Sequence, residues 1–243
     1  LIIKNGDYKF EKYWEVFYNL DFNRPPSFYN EKLNDLIYDS IKYHTISDVP
    51  LGSYVSGGVD SGIIASVASK LKGNKDTLVG FNGKFSVGEL FDESFYAEKL
   101  AESSNFHLYQ KDITSNDFTD SIENIIYHLD YPVAGPGSFP QYQLSKLASK
   151  HRKVVLGGQG GDEIFGGYTR YLIAYFEQCI KGAVNNTLKD GNFVVTYESI
   201  IPNLVSLKNY IPLMKKFFSD GLFEPIDKRY FKLINRAPDI GNE

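Results

Sequence analysis

Short apolar runs alternate along this chain with segments whose apolar residues have helical spacing. Strands are predicted in LGSYV, TLVGF, HLYQKDI and KVVLGG, each of which is short and rich in apolar or aromatic residues. Helices are predicted at 28–46, 62–71, 92–105, 117–129 and 138–151. Alternation of strands and helices of this length indicates a parallel sheet with helices on both faces, so the predicted fold class is α/β.

The two ends of the chain differ from this middle part. The segment NRPPS is predicted to be a linker because paired prolines disfavour a helix, and we expect Ser27 to be the N-cap of the helix that follows. After Tyr175 the pattern is helical but irregular, as in NLVSLKNYIPLMKKFF. The predicted division is therefore an N-terminal segment 1–27, a main domain 28–175 and a mainly helical extension 176–243.

Composition narrows the class of protein. Aromatic residues make up 15% of the chain, which argues against disorder. A formal net charge of −4 gives no general attraction to nucleic acid or to an anionic membrane, and no apolar run approaches the ~20 residues of a membrane span. The single cysteine, Cys179, cannot form an internal disulfide, so we expect a reducing compartment, the cytoplasm.

The stretch SYVSGGVDSG places a glycine-rich turn between a predicted strand and a predicted helix. Unpaired N–H groups at a helix N-terminus bind phosphate, and Gly57 and Gly58 allow the backbone to approach the anion. The hydroxyls of Ser56 and Ser61 can donate to phosphate oxygens, and Asp60 suits a Mg²⁺ ion between the protein and the phosphates. No lysine follows the glycines, so the loop is not an ordinary P-loop. The alternative is a plain Gly-Gly turn with a Ser/Asp helix cap.

The stretch VVLGGQGGDEIFGGYTRY repeats this design: an apolar strand, a glycine-rich loop and then acids. Asp162 and Glu163 follow the strand closely enough to share a cation with Asp60 if the two strands are neighbours. In the alternative interpretation these acids only begin a helix. Two such strand ends together favour a nucleotide polyphosphate and metal site.

These motifs and the sequence around them resemble the synthetase domain of the glutamine-dependent asparagine synthetase family. The resemblance extends from Phe28 to Arg170 and includes ISDVPLGSYVSGGVDSGIIASVAS, FDESFYAEKLAE and PGSFPQYQLSKLASKHRKVVLGGQGGDE in order. It implies a fold like that of other ATP pyrophosphatases, the adenine nucleotide alpha-hydrolase type. It also implies an enzyme that cleaves Mg²⁺-ATP between the α- and β-phosphates, adenylates a carboxylate such as aspartate with release of pyrophosphate, and transfers the acyl group to ammonia.

The same resemblance assigns roles to individual residues. Pyrophosphate is expected at Ser56, Gly57, Gly58, Val59 and Ser61. Mg²⁺ is expected at Asp60 and Asp162, which with Gln159 form the expected catalytic set, and adenosine is expected beside Val79, Gly157 and Gly158. Because attack of a carboxylate on the α-phosphate brings two anions together, metal ions and helix-end N–H groups must neutralise the charge.

Two features depart from the family pattern. Gln159 stands where asparagine synthetases have a glutamate, and an amide can hydrogen-bond a substrate but cannot accept a proton at neutral pH. The amide-forming step therefore remains open, and acceptors other than ammonia are alternatives, as in the related β-lactam synthetases. The chain also lacks the glutaminase domain with its N-terminal cysteine and begins at Leu1, so we expect a fragment or a divergent member whose glutaminase is separate or missing.

Other residues with reactive or charged side chains are weaker candidates for the site. The family's pyrophosphate-binding lysine has only Lys215 or Lys216 as a candidate, and Cys179 is expected to be a structural thiol. The four histidines lack metal-ligand spacing. Asp92 and Glu93 are expected to be helix caps, and Tyr168 and Arg170 either contact substrate or merely pack. A third class of function, a catalytically silent nucleotide-binding module, is also considered; retention of both Asp60 and Asp162 argues against it.

Overall fold

The computed structural model describes residues 1–17, 21, 23–72, 77–86, 88, 92–130, 137–185, 201–219, 221–222 and 224–235. Parts of the expected terminal segments, 18–20, 22, 186–200 and 236–243, therefore lie outside the described residues. None of the helices in the described ranges is both long enough and apolar enough to cross a membrane.

The N-terminal segment contains a small antiparallel hairpin. Strand β1 (Ile2–Lys4) pairs with β2 (Asp7–Lys9), and Asn5 and Gly6 between them both have positive φ, 55° and 87°. Asn-Gly with two positive φ angles is the preferred two-residue connection of a hairpin, because its twist matches that of the paired strands.

Helix α1 (Pro26–His44) begins one residue before the serine that we expected to cap it. Pro25 occupies the N-cap position and Pro26 the first helical position, where its fixed φ suits the helix and its missing N–H costs nothing. The prediction of Ser27 as the N-cap is therefore wrong, because Ser27 already lies inside the first turn.

A four-stranded, entirely parallel sheet forms the centre of the molecule. Its strands are β3 (Leu51–Tyr54), β4 (Val79–Lys84), β5 (His107–Asp112) and β6 (Val154–Leu156), and their order across the sheet is β5-β4-β3-β6. The pairing of β3 with β6 brings together strands that are about a hundred residues apart, with Leu51 opposite Val154. All four predicted strands are confirmed.

Helices cover both faces of this sheet, as the α/β prediction required. After α1 follow α2 (Val59–Lys72), α3 (Ser94–Ser104), α4 (Ser115–Leu129) and α5 (Ser138–Ala148). One apolar cluster joins the sheet to α1, α2 and α3 through residues such as Ile41, Ala65 and Ala97. A second cluster, with Phe81 and Ala148, joins the opposite face to α5. The fold class is confirmed.

Side-chain carboxylates accept backbone hydrogen bonds at the starts of two helices. Thr114 and Asp117 form a reciprocal capping box at the start of α4, and Lys111 also binds Asp117 at 2.8 Å. The hydrogen bond from Lys111, followed by that from the Thr114 N–H, lowers the pKa of Asp117 to about 2. At the start of α3, Glu93 occupies the N-cap position without a side-chain cap hydrogen bond, whereas Asp92, one residue earlier, accepts from the Ser94 N–H at 3.0 Å. This hydrogen bond lowers the pKa of Asp92.

The C-terminal part that the structure describes is helical. It comprises α6 (Gly161–Phe165), α7 (Thr169–Asn185), a 3₁₀ helix (Ile201–Tyr210), α8 (Ile211–Phe218) and α9 (Ile226–Ile234). Buried residues of α7, the 3₁₀ helix, α8 and α9 pack into one cluster. Helix α7 runs without interruption across the domain boundary expected after residue 175, and the domain division itself stays a prediction.

A buried ion pair lies inside this helical cluster. Arg229 of α9 and Glu177 of α7 are both fully buried; the Arg229 Nε lies 3.0 Å from both carboxylate oxygens, and its Nη2 donates to the Phe217 carbonyl at 2.6 Å. Lys181 binds the same carboxylate at 2.9 Å. Burial raises the pKa of Glu177, but the hydrogen bonds and charges of Arg229 and Lys181 outweigh it, so the pKa lies below its ordinary value.

We predict that Glu177→Gln destabilises the protein by roughly 3 kcal/mol, because it leaves the charge of Arg229 buried without its counter-ion. Glu102→Gln is the matched control: Glu102 also pairs with a lysine, but in an exposed position, and its loss is expected to cost about 0.5 kcal/mol or less. Urea unfolding of the two variants measures both values. Equal losses in the two variants would contradict the prediction.

Candidate functional site

The candidate site lies where the order of the strands reverses. The chain passes from β3 to β4 and β5 on one side, and then returns to add β6 on the other side of β3. Loops that leave neighbouring parallel strands in opposite directions form a crevice at the carboxyl ends, where open α/β sheets bind ligands. The two loops here are the glycine-rich stretches that follow Tyr54 and Leu156.

The first loop is held by hydrogen bonds among its own serines. The Ser61 Oγ accepts from the Ser56 N–H at 3.1 Å and lies 2.9 Å from the Ser56 Oγ. The Gly58 N–H donates to the Ser56 Oγ at 3.1 Å, and the Ser61 hydroxyl donates to the Gly58 carbonyl at 3.2 Å. Helix α2 starts at Val59, so its N-terminus points its first N–H groups into this loop region.

The end of β3 is also tied to its neighbouring strand. The side-chain amide of Asn82, which is fully buried, donates to the Val55 carbonyl at 2.7 Å, and the Val55 N–H donates to the Phe81 carbonyl at 2.9 Å. A buried polar side chain with a good partner holds the backbone in one conformation. The loop that starts at Ser56 therefore leaves the sheet from a fixed point.

The second loop packs directly against Asp60. A Cβ atom added to Gly158 would lie 2.8 Å from the Ser61 nitrogen and 3.1 Å from the Cβ of Asp60, and one added to Gly161 would collide with the Asp60 carboxylate. Gly160 between them has a φ of 97°, which favours glycine. The glycines of this loop thus let the two loops meet around the carboxylate of Asp60.

Both loops line one cavity of about 850 Å³. The predicted site residues among its walls are Ser56, Asp60, Ser61, Gly157, Gly158, Gln159 and Asp162. The structure therefore brings together seven of the residues that the sequence singled out.

Other predicted residues lie elsewhere. A separate groove of about 1090 Å³ between α1, α2 and α3 is lined by Gly57, Gly58 and Val59. Val79 is buried at the first position of β4, opposite Gly52, so the structure does not bring it to the carboxyl edge where the cavity lies. The roles expected for these residues stay predictions.

The opposite wall of the cavity contains residues that the sequence analysis did not single out. Gln141 and Leu144 of α5 line it, as does Tyr54 at the end of β3, whose hydroxyl lies 3.0 Å from the Ser145 Oγ. The strand–loop patterns mark only the ends of strands. Which face of α5 lines the cavity depends on how the helix packs on the sheet. The sequence contains no local signal for that packing.

Glu163 and Tyr168 complete the wall on the side of the second loop. The Tyr168 hydroxyl donates to Glu163 Oε1 at 2.7 Å, and this hydrogen bond lowers the pKa of Glu163 and raises that of Tyr168. The guanidinium carbon of Arg170 lies 3.6 Å from the centroid of the Tyr168 ring, and its Nε donates to the Tyr230 hydroxyl of α9 at 3.0 Å.

The donor set of the cavity suits Mg²⁺ bound together with phosphates. Asp60 and Asp162 supply carboxylate oxygens, and the described residues contain no group of three or more His, Cys, Asp or Glu side chains that would hold a metal unaided. Mg²⁺ in nucleotide sites takes one or two carboxylates and completes its shell with phosphate oxygens and water. The two carboxylates of this cavity therefore fit the ion that the resemblance implies.

Of the weaker candidates, Tyr168 lines the cavity, whereas Lys215, Lys216 and Cys179 are not among the described residues of its walls. Lys215 and Lys216 are exposed on α8, and Cys179 is buried in α7. Of the histidines, His151 stacks on Tyr109 with ring centroids 3.9 Å apart, on the α5 side of the sheet.

Fold and site together define an α/β domain with a ligand cavity at the switch point of a parallel sheet. Residues 32–231 match the family model for asparagine synthase, so this chain belongs to the asparagine synthase family. The suspected resemblance is confirmed.

Individual relatives agree with this assignment. The glutamine-hydrolysing asparagine synthetase 1 of Bacillus subtilis is 36% identical over 174 residues, 69% of this chain and 26% of that protein. A Mycobacterium bovis protein provisionally named a glutamine-hydrolysing asparagine synthetase is 36% identical over 141 residues, 58% of this chain and 21% of that protein. The chain thus spans about a quarter of the length of these relatives. Among solved structures, the NMN synthetase from Francisella tularensis is similar with a TM-score of 0.42 and 15% identity, covering 89% of this chain and 95% of that one.

We predict that Gly161→Ala weakens the binding of Mg²⁺-ATP by roughly tenfold or more, because the added methyl group displaces the Asp60 carboxylate. Gly62→Ala is the control: Gly62 lies in α2 and is not among the described residues that line the cavity, and its added Cβ has as its nearest neighbour Leu100 Cδ2, 3.6 Å away. Calorimetric titration of both variants measures the difference, and circular dichroism checks the fold. A Gly161→Ala variant that binds as tightly as Gly62→Ala would show that Asp60 does not need this close packing.

Proposed function

We propose that this chain is the synthetase part of an ATP-dependent, amide-forming ligase that adenylates a carboxylate, aspartate first among the candidates, and transfers the acyl group to ammonia. The observation that carries the proposal is the meeting of two glycine-rich strand ends, which places Asp60 and Asp162 in the walls of one cavity with Ser56 and Ser61. Membership of the asparagine synthase family supports it. Because the chain spans only part of its relatives, the substrates are proposed for this domain alone.

The first step joins two anions. A carboxylate oxygen of the substrate attacks the α-phosphorus of ATP, and the bond from that phosphorus to the oxygen bridging the α- and β-phosphates breaks, so that pyrophosphate leaves. Bound at Asp60 and Asp162, Mg²⁺ would supply positive charge to the phosphates. The protein's own contribution is the N-terminus of α2, whose first N–H groups can donate hydrogen bonds to the leaving pyrophosphate. The hydroxyls of Ser56 and Ser61 can join them by exchanging their present hydrogen bonds, to each other and to the Gly58 carbonyl, for bonds to phosphate oxygens.

The second step releases AMP. The nitrogen of ammonia attacks the acyl carbon of the adenylate, the bond from that carbon to the AMP oxygen breaks, and nitrogen gives up a proton. Gln159 lines the cavity and can orient the nitrogen through its amide oxygen, but an amide does not take the proton at neutral pH. The proton therefore passes to water or to another base.

A second candidate function keeps the adenylation and changes the acceptor or the carboxylate. Gln159 is the residue that favours it, because the position that holds a glutamate in asparagine synthetases is neutral here. An acceptor that brings its own base for the proton lost from the attacking nitrogen would not require a carboxylate at this position.

We predict that the chain releases pyrophosphate from Mg²⁺-ATP when aspartate and ammonium are supplied, and that Asp60→Asn and Asp162→Asn each reduce this release by roughly a hundredfold or more. Loss of a carboxylate removes the ligand that pairs Mg²⁺ with the phosphates. Asp39→Asn, on the exposed side of α1, is the matched control and should be as active as the unaltered chain.

A coupled pyrophosphate assay separates the three hypotheses. Release that depends on aspartate and yields asparagine supports the synthetase. Release without asparagine supports another acceptor. Binding of ATP without release, with aspartate and a panel of other carboxylates, would leave a silent nucleotide-binding module and would overturn the proposal.

Gln159→Glu should raise the ratio of asparagine formed to pyrophosphate released, by roughly tenfold or more, if ammonia is the acceptor. The reason is that the new carboxylate can accept the proton that the attacking nitrogen loses. Gln141→Glu, on the opposite wall of the same cavity, tests whether any added carboxylate has this effect. An unchanged ratio in Gln159→Glu would argue for an acceptor other than ammonia.

A further inference from the structure

The loop at 56–61, which the proposed function assigns to the phosphates, obtains its shape from its own hydrogen bonds. These bonds join the hydroxyls of Ser56 and Ser61 to each other and to the backbone of Ser56 and Gly58. Such bonds fix the conformation of the loop, but they would be the same wherever the loop lay relative to the sheet. The hydrogen bonds described between this part of the chain and the sheet are made one residue earlier, at Val55, with two residues of β4.

The two strands that meet at Val55 end at different points. Strand β3 ends at Tyr54, whereas β4 continues for three residues beyond its last pairing with β3. In a parallel ladder that continued, a backbone N–H of β4 would donate to the Val55 carbonyl. The side-chain amide of Asn82 makes this hydrogen bond instead, at 2.7 Å. The ladder therefore finishes at a side chain, and the backbone turns away from β4 at Ser56.

The Asn82 side chain is fully buried and has a partner at each end of its amide. Its nitrogen donates to the Val55 carbonyl, and its oxygen accepts from the Gln110 side chain at 3.3 Å. Gln110 is the residue of β5 that lies opposite Asn82 in the ladder, and its hydrogen bond turns the nitrogen of the amide toward Val55. Loss of a buried hydrogen bond of this kind is costly, because no water replaces the lost partner.

We propose that Asn82 is a positioning residue for the ATP site. With Gln110 it sets the point at which the loop leaves the sheet, and thereby the place of the α2 N-terminus and of Asp60. Asn82 is not among the described residues that line the cavity, so it acts through the Val55 carbonyl. The proposal rests on the proposed function, since it concerns the same phosphate site. A displacement of about 1 Å at reacting groups can cost roughly a hundredfold in rate.

Asn82→Ala should lower kcat/KM for Mg²⁺-ATP by roughly tenfold to a hundredfold, because the loop is no longer held where it meets the phosphates. The KM for aspartate should change by less than about threefold, since the other walls of the cavity keep their places. Pyrophosphate release by the whole chain measures both parameters. Calorimetric titration with Mg²⁺-ATP measures its affinity, which should fall by roughly tenfold.

Gln143→Ala is the matched control, because Gln143 is also a buried amide. Its nitrogen donates to the Asp117 carbonyl at 3.2 Å and to the Ser121 Oγ at 3.1 Å, between α4 and α5 and outside the described walls of the cavity. Urea unfolding should show losses of stability of the same order in the two variants. Only Asn82→Ala should change the parameters for Mg²⁺-ATP.

Gln110→Ala tests the same arrangement at an exposed residue, whose replacement is not expected to prevent folding. It should lower kcat/KM for Mg²⁺-ATP by roughly threefold to tenfold, because the Asn82 amide loses the hydrogen bond that orients it. When added to Asn82→Ala it should have no further effect, since both residues act on the Val55 carbonyl. If Asn82→Ala does not fold, an unchanged kcat/KM and affinity in Gln110→Ala overturn the inference.

The outcomes separate this inference from the proposed function. A folded Asn82→Ala variant that keeps its kcat/KM and affinity for Mg²⁺-ATP has lost a merely structural contact, which overturns the inference and leaves the proposed function standing. A KM for aspartate that rises as much as the KM for ATP shows a general disturbance of the cavity and also overturns it.

The affinity measurement still decides if the unaltered chain binds Mg²⁺-ATP but releases no pyrophosphate. In that case the proposed function fails, weaker binding by Asn82→Ala supports the inference, and equal binding overturns it. If the unaltered chain does not bind Mg²⁺-ATP, the inference falls together with the phosphate site.

Discussion

The pairing of β3 with β6 is the contact on which the candidate site depends. Neither glycine-rich loop can hold a polyphosphate between two walls alone, and they meet only because β6 joins the sheet beside β3, about a hundred residues later in the chain. Parallel pairing then places both carboxyl ends at the same edge. Close approach of the two loops also requires the glycines of the second loop, because a side chain at Gly158 or Gly161 would keep that loop away from Asp60.

Much of the fold could be predicted because its signals are local. The four short apolar strands and the helices between them repeat often enough to indicate a parallel sheet, and the helix predicted at 62–71 spans Val59–Lys72. Strand order was not predicted, because pairing between strands distant in sequence leaves no local pattern. The error at Ser27 has a similar origin: two residue types suit a helix start there, and Pro26 at the first helical position excludes Ser27 from the cap.

Some residues of the candidate site could likewise be predicted from local sequence patterns, whereas others could not. Residues that follow strands, such as Ser56, Asp60 and Asp162, were found from the sequence because turn chemistry and strand ends are visible there. Gln141 of α5 was not, because whether one face of a helix lines a cavity depends on how the helix is seated on the sheet. Val79, which was chosen through the resemblance, lies at the first position of β4, and its expected place beside adenosine stays a prediction.

Helix α7 contacts α9 at two points that lie nearly two turns apart. Arg170 binds Tyr230 near the cavity, and seven residues later Glu177 binds Arg229 in the interior, so both side chains emerge on the same side of the helix. Insertion or deletion of one residue between them would turn one side chain by about 100° around the helix axis relative to the other. The two side chains could then no longer both face α9. Loops elsewhere in the chain can change length at little cost, whereas this stretch of helix has a length that is set in whole turns.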